Sequence, residues 1–415
     1  MNRKISKLII ALMAALFTWS TGIAQTKTMY IMKNGEIIYQ IPVSDIDSII
    51  FYNPDGIPDA KITSTCYVDR AAGFTGSFYN TEIINGKVEI TGNNTSGTYT
   101  SVEFSTVNFT KLVGSWSVSH VDVSGSTVEL EFRVKTTSGT WSSWLSYRQW
   151  GFERNSSDAC STTNTLNASV DATGGVARIV YDEIMNPTSS SYEYNTFQYR
   201  VTLRRSSGSI ASPKIKAISA SLYRSTGDSF GAPAAAKEWT DKLTGSDILN
   251  QLIVPSIGNS ICSPTTITML MRHKGITSFG GCTYMHEYTA RKVVYDGRLF
   301  GNWTFCTSAM GSWGTTNYIA YPRHVYSANE LAHLLTKGPV GASIQGNSTA
   351  GPLIDTEGIT RYSGSGHLIV IRGFEMSGGV VSNFIISDPN GGLNYKARAS
   401  NVMGVLVSKV AYVIE

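Results

Sequence analysis

Among the five cysteines and six histidines of this chain, one cysteine stands where its neighbours alone can activate it. Cys262 lies in residues 251–272, QLIVPSIGNSICSPTTITMLMR, and is followed at once by Ser263 and Pro264. Serine is a good helix cap and proline at a first helical position forfeits no hydrogen bond, so the spacing predicts a helix over residues 263–273. Ile267, Leu270 and Met271 recur at helical spacing and give it one apolar face. A thiol at a helix N-terminus meets the positive end of the macrodipole, which favours the thiolate, the form that acts as nucleophile. The competing reading of Cys262 is a small buried hydrophobe or half of a disulfide.

A nucleophilic thiol needs a base and the base needs an orienter. His367 follows the glycine-rich SGSG and opens the apolar run HLIVIRGF. A continuous apolar run predicts a strand buried on both faces, and a histidine at its mouth faces a cleft. After Ser377-Gly378-Gly379 comes a second such strand, NFIISDP, ending at Asp388. Two neighbouring buried strands, one opening with histidine and one closing with aspartate, let the carboxylate orient the ring and stabilise imidazolium. Read more plainly, His367 is a satisfied strand-end histidine and Asp388-Pro389-Asn390-Gly391 an ordinary turn. Of the remaining histidines, His120 falls in the first half and His273 ends the Cys262 helix. His333 sits on a second helix, and His286 and His324 lie in loop-like polar stretches. No C-x-x-C or H-x-x-x-H spacing occurs, so neither a metal nor a cofactor is expected.

These residues belong to a second half in which helices mix with strands. The second helix, residues 328–337, opens with a Ser327-x-x-Glu330 capping box and stops at Gly338-Pro339. Strands are expected at 340–344, 367–372, 383–387 and 411–414. Upstream, residues 60–225 carry period-two strands without intervening helices, at 128–136, 141–150, 177–182, 197–204 and 215–223, which points to an all-β sandwich. Trp116, Trp141, Trp144 and Trp150 would give that sandwich an aromatic platform for glycan or cell-wall polymer, or else fill its core. Residues 225–239, rich in small residues, read as a linker, and the halves on either side are expected to separate there. Before the sandwich, MYIMKNGEIIYQI reads as a hairpin about Asn34-Gly35, followed by a turn or short helix at Ser44-Asp45 and the apolar run SIIFY. The chain begins with Arg3, Lys4 and Lys7 before an apolar run and the small residues Gly22-Ile23-Ala24, the pattern of a secretory leader. The organisation expected is therefore a leader at 1–25, a hairpin module at 26–55, a β-sandwich at 56–228 and a catalytic half at 229–415.

The formal net charge is +4, three of those charges lie in the leader, and no basic run occurs, so no nucleic-acid partner is expected. With the leader cleaved, no membrane association is expected either, and the mature protein should be periplasmic or extracellular. Five cysteines allow at most two disulfides and a free thiol, and a Cys282–Cys306 bond is the pairing expected.

The pieces ICSPTTITMLM, VVYDG…GNWTF, KGPVGASI, GHLIVIRGF and SDPNGG occur in this order over roughly residues 238–415. In them the second half resembles the exported, stand-alone relatives of the bacteriocin-leader-processing (double-glycine) cysteine peptidases, within the papain-like superfamily. GSWSV, SGTWSSW and FQYRVTLRR likewise resemble the sandwich fronting some exported members. The resemblance implies an α+β papain-like cysteine peptidase domain behind the sandwich, with Cys262 as nucleophile, His367 as base and Asp388 as orienter. It also implies an oxyanion glutamine upstream of the cysteine. Gln251 is the nearby glutamine, although relatives carry theirs a few residues after a Val-Pro pair, a register that here falls on Asn259. Cys306 is a further departure, standing where relatives carry a polar residue. Two functions follow as expectations: an exported cysteine peptidase or amidase acting on a peptide or amide through a thioester, or a catalytically inactive binding protein whose sandwich recognises glycan.

Overall fold

The computed structural model describes residues 28–33, 36–43, 60–121, 125–151, 172–295, 299–314 and 316–415. The leader, the Asn34-Gly35 turn and the segment from Ser44 to the sandwich lie outside them. Thr28–Lys33 and Glu36–Pro42 pair antiparallel, with Met29 opposite Ile41 and Lys33 opposite Glu36. This hairpin belongs to a compact unit of its own, Met1–Gly56.

In the second unit, two sheets face each other across an aromatic core. Thr127–Thr136 alternates buried and half-buried positions along its length, as does Tyr194–Arg204, and the two pair in a six-stranded sheet. The opposing nine-stranded sheet is centred on Lys111–Ser119 and Lys214–Tyr223. Tyr67 of that sheet meets Phe197 of the other edge-on at 5.3 Å. Trp116 and Trp150, fully buried, belong to the core and offer no platform. Trp141 and Trp144 stay half-buried, but the Arg133 guanidinium lies 4.5 and 4.9 Å from their rings and Arg200 lies 4.7 Å from Trp144. The strand expected from Trp141 begins only at Leu145. Ser142 turns the chain instead: its N–H donates to Val134 O and its hydroxyl accepts the Val134 N–H.

Lys111–Ser119 and Lys214–Tyr223 are buried on both faces, against the expectation of one buried face. Ser115, Ser117, Ala217, Ser219 and Ser221 make the outer face small, and the C-terminal half packs on it. The helix Trp303–Ser312 lies against this surface, and its hydroxyls satisfy strand groups there: Trp116 N–H donates to Ser308 Oγ (3.1 Å) and Val118 N–H to Ser312 Oγ (3.0 Å). Gly311 is where helix and strand come closest, since a Cβ there would fall 2.1 Å from Ser117 Oγ. Trp116 and Phe305 meet edge-on at 6.2 Å inside one hydrophobic cluster that runs through both halves. Residues 225–239 are stitched down as well. Asp228 accepts from the Ser64 backbone, Phe230 O accepts from Asn329, and Lys237–Glu238 joins the C-terminal sheet. The junction is a packed seam and not a free linker.

The C-terminal half holds an antiparallel sheet in the order Ala320–His324, Val410–Ile414, Val340–Ile344, His367–Ser377, Val380–Asp388, Leu393–Arg398, with Lys237–Glu238 on the His367 strand. The capping-box helix is observed at Ala328–Leu335, with Ser327 Oγ accepting the Glu330 N–H at 3.1 Å. Three helices go beyond the sequence expectation: Met285–Val293, Trp303–Ser312 and Ala399–Val405. His286 is accordingly helical and His324 a strand residue, and both are buried. Cys306 carries a free, fully buried thiol, so the expected Cys282–Cys306 bond is not formed, although Cys282 is disulfide-bonded. Cys66, Cys262 and Cys306 are all free, two more thiols than an odd count of five requires.

Candidate active site

Cys262 is the first residue of the helix Cys262–His273. The helix starts one residue earlier than expected and has no side-chain cap, because Ser263 is occupied elsewhere. The Ser263 hydroxyl donates to Cys306 Sγ (3.1 Å) and bonds Tyr412 Oη (2.9 Å), which ties the helix to the Trp303 helix and to the strand Val410–Ile414. Thr265 and Thr268 return their hydroxyls to Ile261 O and Pro264 O, both at 2.7 Å, so this threonine-rich helix is buried without orphaned hydroxyls at those positions. Its uncapped first-turn N–H groups and its dipole are left to act on the thiol.

His367–Ser377 and Val380–Asp388 are antiparallel neighbours with Val370 opposite Ser387. The start of one and the end of the other therefore meet at the same end of the sheet. His367 Nε2 and Asp388 Oδ1 lie 2.7 Å apart, both residues nearly fully buried. That leaves Nδ1 free of the carboxylate, and Cys262 lies near enough for thiol and imidazole to shift each other's proton affinity. Burial pushes the Cys262 thiol up, but the hydrogen bond and charge of His367, with the N–H groups of Leu368 and Ser263, outweigh it and hold the thiol below its ordinary value. For His367 burial pulls downward, and the bonds and charges of Asp388 and Cys262 prevail, leaving it well above an ordinary imidazole. Thiolate beside imidazolium is the state these shifts favour. Cys66 and Cys306, by contrast, are pushed by burial up to about 12.

Three tyrosine and arginine residues that sequence reasoning did not single out surround the pair. Tyr395 donates its hydroxyl to Asp388 Oδ2 at 2.8 Å, while the Asn390 N–H donates to Oδ1, so both carboxylate oxygens are engaged. Arg361, paired with Asp355, lies 5.1 Å from the Tyr395 ring. Tyr362 stacks on the His367 ring at 4.8 Å with 26° between planes. The available signal was position alone: Tyr362 and Arg361 immediately precede the glycine loop, and Tyr395 follows the Asp388 turn.

Gln251 is buried beside the site. Its backbone N–H donates to Pro389 O at 2.9 Å, and its side-chain amide donates to Gly258 O at 2.8 Å. The amide thus braces the turn that leads into Cys262, with a second amide hydrogen in reserve. Its Oε1 is buried with no partner among the described residues. Behind it, His286 Nε2 contacts Asn250 O at 3.2 Å. Asn259, the alternative by register, is exposed.

Residues 75–222 match the peptidase C39 N-terminal domain and residues 244–405 match the peptidase C39-like family. The architecture is accordingly an N-terminal domain followed by a C39 peptidase domain, mostly β-sheet with few helices. No curated protein matches the chain. Among solved structures, a chain from the infectious bursal disease virus Gt strain matches at 12% identity over 51% of this chain and 47% of that one, with a TM-score of 0.16. The chain thus spans about half of that one, and so low a score carries no structural argument.

Proposed function

With a C-terminal region that belongs to the peptidase C39-like family, the chain is a cysteine peptidase-type protein, and we propose that it works as an exported hydrolase of peptide or other amide bonds through a Cys262–His367–Asp388 triad on a papain-like scaffold. One observation carries this reading: a thiol at a helix start lies beside a buried His367 whose Nε2 is held by a buried carboxylate, which leaves Nδ1 for the thiol. The Cys262 thiolate attacks the carbonyl carbon, and the oxyanion forms beside the helix N-terminus and the Gln251 amide. The His367 imidazolium gives its proton to the leaving amine as the C–N bond breaks, leaving a thioester on Cys262. Neutral His367 then takes a proton from water as the water attacks, and the C–S bond breaks to release the acid and restore thiolate beside imidazolium. Asp388 keeps its charge throughout and holds the tautomer.

The test is to incubate purified mature protein with a library of peptides and peptidoglycan fragments, following products and Cys262 adducts by mass spectrometry. The reading expects amide cleavage that Cys262→Ala and His367→Ala abolish. Cleavage surviving Cys262→Ala, or binding of glycan fragments with no turnover of any amide, would overturn it.

A further inference from the structure

We infer that Tyr362 is a positioning residue of this site: its ring roofs the His367–Asp388 hydrogen bond and holds the imidazole plane so that Nδ1 faces Cys262. The inference rests on the proposed Cys262–His367 pairing and adds a residue to it.

Tyr362 is held from three directions. Its ring lies nearly parallel to the imidazole, 4.8 Å between centroids. Its hydroxyl donates to Gly366 O (2.6 Å) and accepts the Gly366 N–H (3.0 Å), so the phenol is fixed to the residue just before His367. The loop between them must pass under the hydroxyl, and a Cβ on Gly364 would fall 2.4 Å from that oxygen. From the other side, Tyr362 sits opposite Leu353 in a two-stranded hairpin. Leu353 is fully buried, and Asp355 anchors the hairpin turn by accepting from Glu357 N, Ile359 N and Arg361. A half-buried tyrosine tied this way is a rigid cover with solvent on its far side.

The groups facing His367 are few: Cys262 from its helix, Asp388 from the neighbouring strand with Tyr395 on its second oxygen, and Tyr362 from the hairpin. Cys262 and Asp388 fix the two ring nitrogens but not the tilt of the ring. A flat face packed on the imidazole sets that tilt and keeps water from competing for either nitrogen. Without it the imidazole's bonds to its partners loosen, while Cys262 stays half-buried at the start of its helix. The thiolate then loses its partner without gaining hydration, and the thiol pKa rises.

The experiment follows alkylation of Cys262 by iodoacetamide from pH 4 to 10 in the full chain by mass spectrometry, which needs no substrate. Tyr362→Ala should raise the pH midpoint by about one unit, which is roughly tenfold slower labelling below the midpoint. The rate above the midpoint should stay within about twofold, because the thiol remains as accessible as before. Tyr362→Phe keeps the flat ring and should restore the wild-type midpoint. Tyr362→Leu, which fills the position without a flat face, should behave as Tyr362→Ala and serves in its place if that variant does not fold. His367→Ala separates this inference from the reading beneath it. If His367→Ala leaves the wild-type midpoint in place, the Cys262–His367 pairing itself fails. If His367→Ala raises the midpoint while Tyr362→Ala and Tyr362→Leu leave it unmoved or lower it, only the role of Tyr362 is overturned. A Tyr362→Phe midpoint as high as that of Tyr362→Ala would also overturn it, by assigning the effect to the hydroxyl and not to the stacked ring.

Discussion

Two buried histidines, His324 in the seam between the halves and His367 at a strand end, have similar burial and differ in charge. His324 is fully buried, and its Nδ1 lies 2.7 Å from Ser221 Oγ. That oxygen already accepts the His324 backbone N–H at 2.9 Å, which leaves the hydroxyl proton to point at Nδ1. Nε2 has no partner among the described residues. Burial, with the charges of Lys111 and Lys409, drives the imidazole down to about 3. Two other titratable groups of the seam follow the same rule. Burial raises Asp182, which accepts from the Trp303 N–H, to about 7. It lowers Lys216, which donates to Thr316 O and Tyr318 O, also to about 7. Each is pushed toward its neutral form. His367 differs only in its partners, a carboxylate on one nitrogen and a thiol on the other. The difference teaches that a carboxylate within hydrogen-bond reach, and not burial, decides whether a buried imidazole can hold a proton. The seam is built to be neutral and shut, and the site to be charged.

The largest effect should come from removing the seam. A chain beginning at Ala234 loses the surface that covers the Trp303 helix, exposing Phe305 and the row Thr304, Thr307, Ser308 and Ser312. Because Ser263 hangs on Cys306 of that helix, the Cys262 helix loses support as well. The fragment should show no cooperative thermal transition and should self-associate during gel filtration. A monomeric, cooperatively melting fragment would show that the shared core is dispensable.

Next in size is converting His367 into a copy of His324. Asp388→Ala removes the carboxylate, so the buried imidazole should become neutral and the thiol should keep its proton. Turnover of whichever amide substrate the wild type accepts should fall by roughly 10²–10⁴-fold. Asp388→Asn retains an oxygen for His367 and should lose about tenfold or less. Equal losses in the two variants would mean that Asp388 acts through its charge alone.

The elements that carry Cys262, His367 and Asp388 were legible because their signals are local. Cys-Ser-Pro marks a helix start, and the runs behind His367 and before Asp388 mark buried strands; antiparallel pairing then brings their ends together. What was not legible depends on packing between distant segments. The Trp303 helix, WTFCTSAMGS, is buried all round, and the row of small hydroxyls on one side carries no charge that would mark a solvent-facing side. Ser263 looks like a cap, but its hydroxyl is drawn to Cys306 and Tyr412, far away in sequence. Tyr362 and Tyr395 are two among 21 tyrosines and lie in short strands, and nothing in the local sequence marks either as facing the site. The seam did leave a trace: KLVGSWSVS and KIKAISASLY alternate large residues with Ser and Ala where an exposed strand face would carry charges. Small residues on the second face are the sequence signature of a sheet covered on both sides.

The smallest effect, and the finest test of the contrast, is on stability in acid. Folded, His324 binds a proton only below about 3 and His286, also held down by burial, only below about 4. Unfolded imidazoles bind one below about 6.5. Between these values the unfolded chain carries more protons, so stability falls as pH drops below about 6.5 and goes on falling toward the folded values. His324→Gln removes one of these groups and keeps an acceptor for the Ser221 hydroxyl. At pH 7.5 the variant should be less stable than the wild type by about 1–2 kcal/mol, from altered packing and a less well placed hydrogen bond. At pH 4.5 the wild type alone carries the His324 penalty, and the gap should narrow by roughly 2–3 kcal/mol, enough to close or reverse it. Asp182 and Asp69, whose carboxyls burial raises to about 7 and about 6, have the opposite sign and weaken the fold as pH rises. They are common to both proteins and cancel in the difference. Urea unfolding followed by tryptophan fluorescence at the two pH values measures the gap directly. A gap that does not change with pH would mean that His324 is not held neutral by the seam, and that its contrast with His367 does not arise from their partners.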